Sequence, residues 1–167
     1  MADARRLIGF SIRPVTQNDL PLLLTLIREL ADYERLSHTV VATEEMLREA
    51  LFGEHAFTQA VIGRQDGEAV AYALWFYNYS TFTGQPGLFI EDLFVRSHAR
   101  GRGFGRAILR YLARVAVERG CGRMEWLTLD WNKPARDFYA RLGATCAGEW
   151  VPYRLSRAAL ECLAADE

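Results

Sequence analysis

The sequence of 167 residues lacks the clustered cysteines and histidines that disulfide frameworks and zinc sites require. Its three cysteines, Cys121, Cys146 and Cys162, are odd in number and far apart, and no C-x-x-C pair is present. Its three histidines have no metal-ligand spacing. We therefore expect neither a metal site nor structural disulfides, and a reducing compartment fits this composition.

Long apolar runs and an excess of one charge are also missing. The longest leucine-rich run, Leu20 to Ile27, is far shorter than a membrane span, and the apolar stretch after Arg5-Arg6 is too short for a signal peptide. The net charge is −1, so we expect no nucleic-acid or membrane partner and a soluble, cytoplasmic protein. Positive charge is instead local, in a group that suits a small polyanion or an ordinary solvated face: Arg96, Arg100, Arg102, Arg106 and Arg110.

Hydrophobic periodicity predicts a single domain, residues 1–167, with alternating strands and helices. Period-two or apolar runs predict strands at 10–13, 57–63, 69–79, 88–95, 124–129 and 145–155, with a turn at Gln65-Asp66-Gly67. Helical spacing and capping signals predict helices from Leu20 and Thr43, over 104–118, from Pro134 and over 156–165. The order β-α-α-β-β-β-α-β-α-β predicts an α/β protein: antiparallel strands come first, parallel pairing follows, and helices flank the mixed sheet.

The most informative segment is Arg100-Gly101-Arg102-Gly103-Phe104-Gly105, which follows a strand and opens a helix. The first amides of a helix have no intrahelical partner and attract anions, and glycines allow a pyrophosphate to approach the backbone. Arg100 and Arg102 can add charge-assisted hydrogen bonds. The Gly-Lys-Ser/Thr of a P-loop is absent, and G-x-G-x-x-G fails because Arg106 stands three residues after Gly103. Glycine spacing alone would also fit a tight turn.

The pattern Arg100-x-x-Gly103-x-Gly105 resembles the acyl-CoA-binding loop of the GNAT N-acetyltransferases. The likeness extends over nearly the whole chain and is similar to the diamine acetyltransferase branch, which contains the spermidine/spermine and thialysine N-acetyltransferases. The segments that carry it are Ile12–Pro14, Ile27–Glu34, Phe52–Phe57, Glu91–Val95, Asp130–Asn132 and Phe138–Ala144. The resemblance implies a partly splayed GNAT-like sheet, a homodimer and acetyl transfer from acetyl-CoA, the co-substrate, to a primary amine without a metal.

The resemblance also implies the residues that hold acetyl-CoA and protonate its thiolate. Backbone amides on the splayed strand, the loop and one asparagine are expected to contact acetyl-CoA: Leu93, Phe94, Val95, Arg100, Gly101, Arg102, Gly103, Phe104, Gly105, Arg106 and Asn132. Tyr139 is expected to be the general acid, because a tyrosine with a pKa near ~10 is protonated at neutral pH and a thiolate is a comparable base. Packing would explain a tyrosine, and helix capping an asparagine, equally well.

The acceptor amine must lose a proton before it attacks, which points to carboxylates. Glu91 resembles the family acid that attracts the cation and relays its proton through water, and Glu34, Asp92 and Phe82 are candidates for the acceptor site. Strand alternation predicts that Glu91 and Asp92 point to opposite faces, so that they form no dyad, although either could be a satisfied structural acid or part of a bulge.

The acceptor itself is less well defined. Ser80 stands where spermidine-acetylating relatives carry an aspartate, and Glu149 is the single acid of a segment that is acidic in those relatives. Fewer acids predict weaker binding of a polycation and favour a small amino-acid-like or diamine acceptor. Two alternatives stay open: a protein lysine or N-terminal acetyltransferase, which the aromatic loop 79–87 disfavours, and a CoA-binding sensor without catalysis.

Overall fold

A computed structural model describes residues 7–148 and 150–165 of the chain. The strands are β1 Phe10–Pro14, β2 Gln59–Gln65, β3 Glu68–Ser80, β4 Gln85–Val95 and β5 Arg123–Trp126. The α-helices are α1 Leu20–Tyr33, α2 Glu44–Phe52, α3 Phe104–Glu118, α4 Lys133–Arg141 and α5 Arg157–Ala165. The sheet order is β1-β2-β3-β4-β5, with antiparallel pairing up to β4 and a parallel β4–β5 pair. The predicted mixed sheet with helices is confirmed.

The chain falls into two compact units, the first ending at Leu127 and the second beginning at Thr128. All five strands and helices α1 to α3 belong to the first unit, and α4 and α5 belong to the second. The interpretation of residues 1–167 as one domain stays a prediction. No described helix has both the length and the apolar character needed to cross a membrane.

Helix α1 forms because its leucines recur on one face and become buried. Leu20, Leu23, Leu24 and Leu26 are each at most 5% exposed, and burial stabilises each by about 2 kcal/mol. They share an apolar cluster with side chains from the central strands, which are Ile62, Tyr72, Leu74 and Phe94. This packing places the carboxyl end of α1, with Tyr33 and the next residue Glu34, on the first unit's main core.

The hairpin between β2 and β3 closes through Asp66 and Gly67, where both φ angles are positive (50° and 89°). A two-residue hairpin turn that matches the twist of its strands requires positive φ angles at both turn residues. The predicted turn is therefore confirmed. The turn sets how the long strand β3 pairs with β2. β3 contains Tyr72 and also pairs with β4.

A β-bulge interrupts β4 at one of the predicted site residues. Leu74 pairs with Asp92, whereas the next residue, Trp75, pairs with Ile90, so Glu91 is the extra residue on β4. Simple alternation fails across this point. Glu91 is exposed and Asp92 is half-buried, so the two acids do lie in different environments. The bulge, however, produces this difference, and not the regular pleat on which the prediction relied.

The second half of β4 has a strand partner on one edge only. β5 pairs with Gly87 to Ile90 and ends at Trp126, while β4 continues to Val95 against β3. Among the described strands, none pairs with Glu91–Val95 on the β5 side. This gap agrees with the partly splayed sheet that the resemblance implies, and it leaves backbone groups of β4 available to a ligand.

In the second half of the chain, the strand predicted at 124–129 is present but shorter, and the strand predicted at 145–155 is wrong. β5 stops three residues short of Leu129, and the described residues of 145–155 form no strand; Glu149 lies outside the described residues. An alternating pattern indicates which side chains share a face, but a strand also needs a partner for its backbone groups. None pairs with this segment among the described residues, and Trp150, Val151 and Tyr153 are at least 70% exposed.

Candidate active site

The loop between β4 and α3 has the backbone geometry of an anion site. After a turn of 3-10 helix at Ser97–Ala99, Gly101 and Gly103 adopt left-handed φ angles of 73° and 92°. L-residues with a side chain rarely adopt these angles. A Cβ at Gly101 would meet nothing within 4 Å, so the backbone angle, and not crowding, favours glycine there. The open space is also what an approaching pyrophosphate requires.

Helix α3 begins directly behind this loop without a side-chain cap. Gly103 is its N-cap and its carbonyl accepts the first helical hydrogen bond, from the Ala107 amide at 2.9 Å. The preceding amides, including those of Phe104 and Gly105, have no partner within the helix and lie at the positive end of its dipole. Phe104 anchors this end, since it is 1% exposed and stacks on Phe10 at 4.3 Å between ring centroids. These features fit a diphosphate.

The two loop arginines have different environments. The Nε of Arg100 donates to the Val95 carbonyl at 2.9 Å, and its guanidinium carbon lies 4.1 Å from the centroid of the Tyr33 ring. Arg100 therefore links the loop to the end of β4 and to the end of α1. Arg102 is exposed, with its guanidinium carbon 4.9 Å from the Phe104 ring centroid. Arg106 is also exposed, on the first turn of α3.

A cleft of about 500 Å³ lies where Arg100 meets Tyr33 and Phe94. Its other walls are charged or polar, formed by Glu29, Asp32, Arg96, Ser97 and His98. Within it Arg96 makes a bidentate ion pair with Glu29, at 2.6 and 2.8 Å. A second cleft, of about 380 Å³, contains none of the predicted site residues. The structure thus brings Phe94 and Arg100 to one surface depression.

Asp92 makes a hydrogen bond that the sequence did not indicate. The hydroxyl of Tyr72, on β3, donates to Asp92 Oδ2 at 2.9 Å. The Tyr72 side chain is fully buried, and its ring lies 6.2 Å from that of Phe94, its cross-strand partner. A buried phenol needs a hydrogen-bond acceptor, and a carboxylate in an apolar strand needs a donor, so the two groups satisfy one another.

The surroundings of Asp92 favour its neutral, protonated form. Its pKa is raised to about 6, mainly by burial and also by the negative charges of Glu91 and Glu34, whereas the Tyr72 hydrogen bond acts in the opposite direction. Burial and the charge of Asp92 raise the pKa of Tyr72 well above its ordinary value, so Tyr72 remains a donor at any physiological pH. Burial also raises the pKa of Glu34. The predicted acids Glu34 and Glu91 are therefore close enough for their charges to act on Asp92.

The remaining predicted site residues are Phe82, Asn132 and Tyr139. Phe82 lies in the turn between β3 and β4 with 91% of its side chain exposed. In the second unit, the side chain of Asn132 accepts from the Ala135 amide at 3.3 Å and caps α4. Tyr139 lies on α4, half-buried, with its ring centroid 5.4 Å from that of Phe138. The roles predicted for these residues stay predictions.

Sequence reasoning missed Tyr72 and Tyr33. A signal for Tyr72 exists, since it is the only hydroxyl-bearing side chain in the apolar run Ala69–Leu74, and such a group needs a partner when the strand is buried. Asp92 is the matching acid in the next strand, but the register that joins them depends on the bulge. The stacking of Arg100 on Tyr33 has no sequence pattern, because the two lie on different elements.

Comparison with known proteins identifies the family to which the chain belongs. Residues 25–144 match the Acetyltransferase (GNAT) family. The chain belongs to this family. The match includes α1 from Thr25, all of β2 to β5, the glycine loop and α4, and GNAT enzymes use acetyl-CoA as co-substrate. The conclusion that the chain is an acetyltransferase of the α/β GNAT fold is thereby confirmed.

Similar proteins indicate which branch of the family this chain resembles. A thialysine N-epsilon-acetyltransferase of Sus scrofa is 38% identical over 164 residues, covering 92% of this chain and 96% of the relative. An L-ornithine N5-acetyltransferase of Arabidopsis thaliana is 30% identical over 197 residues, covering 91% and 86%. Among solved structures, an integron cassette protein of V. cholerae has a TM-score of 0.79 at 26% identity, covering 95% of this chain and 99% of that one. The predicted resemblance to the thialysine branch is confirmed.

Proposed function

We propose that this enzyme transfers the acetyl group of acetyl-CoA to a primary amine of a small cationic molecule, such as a thialysine-like amino acid or a diamine. The observation that carries the proposal is the strand–loop–helix segment from Glu91 to Gly105. One end of it presents carboxylates, and the other presents the amides and glycines of an anion site. A cationic acceptor and an anionic donor are what those two ends would bind.

Acetyl-CoA would supply the activated acetyl thioester. Gly101 to Gly105 would hold its pyrophosphate through backbone amides, with Arg102 and Arg106 adding charge. The unpaired edge of Leu93–Val95 would hold the pantetheine and polarise the thioester carbonyl, as an oxyanion hole does. No group of three His, Cys, Asp or Glu side chains among the described residues could hold a metal. The proposal accordingly uses proton transfer and hydrogen bonding alone.

The proton balance favours Asp92 as a group that can accept a proton from the amine. Transfer from an alkylammonium with a pKa near ~10.4 to an ordinary aspartate costs about 9 kcal/mol, whereas transfer to Asp92, with its pKa of about 6, costs about 6 kcal/mol. Proton transfer to Asp92 costs less because burial disfavours its charged carboxylate and so favours the protonated form. Glu91, exposed at the bulge, would attract the cation and pass the proton through water. The neutral amine nitrogen would then bond to the carbonyl carbon and lose its second proton to solvent as the carbon–sulfur bond breaks.

Tyr139 is proposed to donate its proton to the departing thiolate, which completes the proton balance when solvent reprotonates the phenol. Asn132 would contact acetyl-CoA, and Phe82 would contribute an apolar wall to the acceptor site. We also keep two proposals: a homodimer, which the family resemblance implies, and a cytoplasmic location, which the sequence composition suggests.

A small acceptor is favoured over a long polyamine. Ser80 is a neutral residue whose hydroxyl accepts a hydrogen bond from the Thr83 amide at 3.3 Å, so it serves the β3–β4 turn and adds no negative charge. The relatives named for thialysine and ornithine also act on amino acids that bear a side-chain amine. A compact, singly reactive cation needs fewer acids than spermidine does.

The test is release of the free CoA thiol with a panel of acceptors: thialysine, lysine, ornithine, putrescine, spermidine and a lysine peptide. We expect the highest kcat/KM with one of the amino acids or with putrescine, and an acidic limb near pH 6 as Asp92 becomes protonated. Turnover of the peptide alone would contradict the small-molecule proposal. Tight binding of acetyl-CoA without turnover of any acceptor would point to a CoA-binding sensor.

A further inference from the structure

We propose that Tyr72 is a positioning residue for the acceptor amine, acting through Asp92. Its hydroxyl fixes one carboxylate oxygen so that the other is presented to the amine. The inference deepens the proposed function and rests on it. Tyr72 itself is fully buried and touches neither substrate in this account.

The first step is geometric. Tyr72 pairs with Phe94 across the sheet and Leu74 pairs with Asp92, so the Tyr72 phenol reaches diagonally across two residues to Asp92 Oδ2, at 2.9 Å. The bulge at Glu91 sets this register, because without the extra residue Asp92 would take the opposite face of β4. The hydrogen bond therefore depends on the same irregularity that leaves Glu91 exposed.

The second step concerns the other oxygen. Within the described part of the chain, Asp92 Oδ1 accepts no hydrogen bond, while Oδ2 is fixed by Tyr72. A carboxylate held at one oxygen loses rotational freedom, and its remaining lone pairs point in a defined direction. An ammonium or amine with N–H donors is the complement of such an oxygen. An anion or an ether would have nothing to donate to it.

The third step is electrostatic. Burial, Glu91 and Glu34 all favour the protonated form of Asp92, and among the groups that face it from β3, β4 and the end of α1 only Tyr72 favours the ionised form. Removing the hydroxyl should therefore move the acidic limb of amine turnover toward higher pH. A residue that merely fills space would not alter that limb, because packing has no pH dependence of its own.

Tyr72→Phe removes the hydroxyl with little change of shape, and Tyr77→Phe is a matched control on the same strand. The buried Tyr77 hydroxyl has no hydrogen-bond partner in the described structure, so the Tyr77→Phe substitution breaks no hydrogen bond there. For Tyr72→Phe we expect kcat/KM for the amine at pH 7 to fall about tenfold to a hundredfold, the range for a hydrogen bond to a charged group. The acidic limb should move up by about one pH unit, with an unchanged Kd for acetyl-CoA.

The Asp92→Asn background keeps the test valid if Tyr72→Phe alone folds poorly, because no buried charge is then left unpaired. There, Tyr72→Phe should change kcat/KM for the amine less than twofold. The proposal is overturned if Tyr72→Phe gives the same pH profile as Tyr77→Phe, or if its loss is equal at all pH values and persists in the Asp92→Asn background. Absence of turnover in the parent with every amine would instead overturn the proposed function.

Discussion

The glycine loop and the acidic end of β4 lie within one segment of 15 residues, yet in the proposed function they would recognise charge by opposite means. In the loop, backbone amides and the left-handed Gly101 and Gly103 would form the site, and the side chains of Arg102 and Arg106 nearby are exposed. At Asp92, a half-buried side chain would form the site, and a hydrogen bond from the neighbouring strand β3 favours its ionised form. Backbone recognition resists side-chain substitution, whereas the carboxylate site depends on single groups.

The difference also explains which region selects the substrate. An anion site of backbone amides is similar for any pyrophosphate, so in the proposed function the loop would define the donor class and little else. The acids respond to the size, charge and geometry of the amine. We therefore expect substitutions in the two regions to separate cleanly in steady-state kinetics, with donor effects from the loop and acceptor effects from β4.

The largest expected effect lies outside both regions, at Tyr139. Tyr139→Phe should lower kcat at least about 100-fold, because general-acid catalysis contributes that much and a phenyl ring has no proton to give. The Kd for acetyl-CoA, measured by calorimetry, should stay within about twofold. A kcat equal to that of the parent would remove Tyr139 from the mechanism and return proton donation to solvent.

Asp92 should carry a measurable stability penalty that appears as pH rises. Its pKa is raised on folding from 3.8 to about 6, so its stabilising contribution is complete below pH 3.8 and is lost as pH rises through 6. The loss is about 3 kcal/mol at most, from 2.2 pH units at 1.36 kcal/mol each. The difference in free energy of unfolding between Asp92→Asn and the parent, measured in urea, should therefore grow in favour of the variant from pH 4 to pH 8. A difference independent of pH would contradict the assignment.

The glycine loop can be tested with two matched glycines. Gly101 and Gly120 have similar positive φ angles, 73° and 68°, and a Cβ at either position would meet nothing within 4 Å. Alanine should cost about 1–2 kcal/mol of stability at both positions. Only Gly101→Ala should also weaken acetyl-CoA binding, by about tenfold, because only that loop holds the pyrophosphate. Equal Kd values for the two variants would separate the loop from the donor.

The smallest expected effect is at Glu34. It lies at the end of α1, and burial raises its pKa, but it has more access to solvent than Asp92. Glu34→Gln should raise KM for the amine about threefold and leave kcat nearly unchanged, since a partly screened charge contributes modestly. The same variant should shift the acidic limb slightly toward lower pH, because one negative charge near Asp92 is removed. A shift to higher pH would contradict the proposed arrangement.

Sequence patterns predicted those parts of the molecule that local chemistry controls. The glycine loop, the Asp66-Gly67 turn and helix α1 follow from φ requirements and apolar spacing, and each lies where the patterns indicate. The predicted strand at 145–155 failed because strand formation depends on a partner elsewhere in the chain. The same limit applies at β4, where the bulge at Glu91 adds one residue and invalidates a period-two argument.

The candidate site shows the same difference between features that local sequence predicts and features that depend on distant parts of the chain. Individual residues such as Glu34, Asp92 and Arg100 could be selected from the sequence by type and by resemblance. Their interactions could not, because the Tyr72–Asp92 hydrogen bond depends on cross-strand register and the stacking of Arg100 on Tyr33 depends on helix packing. The structure therefore adds mainly the partners that tune the predicted residues.

One comparison tests the central claim most directly: acetyl-CoA affinity and amine kcat/KM measured on the same preparation of Asp92→Asn. The account predicts a Kd for acetyl-CoA within about twofold of the parent, together with a loss of amine kcat/KM of about a hundredfold at pH 7. An Asp92→Asn enzyme that turns over the amine like the parent, or that loses acetyl-CoA affinity in proportion, would contradict the division of labour between the carboxylate and the loop.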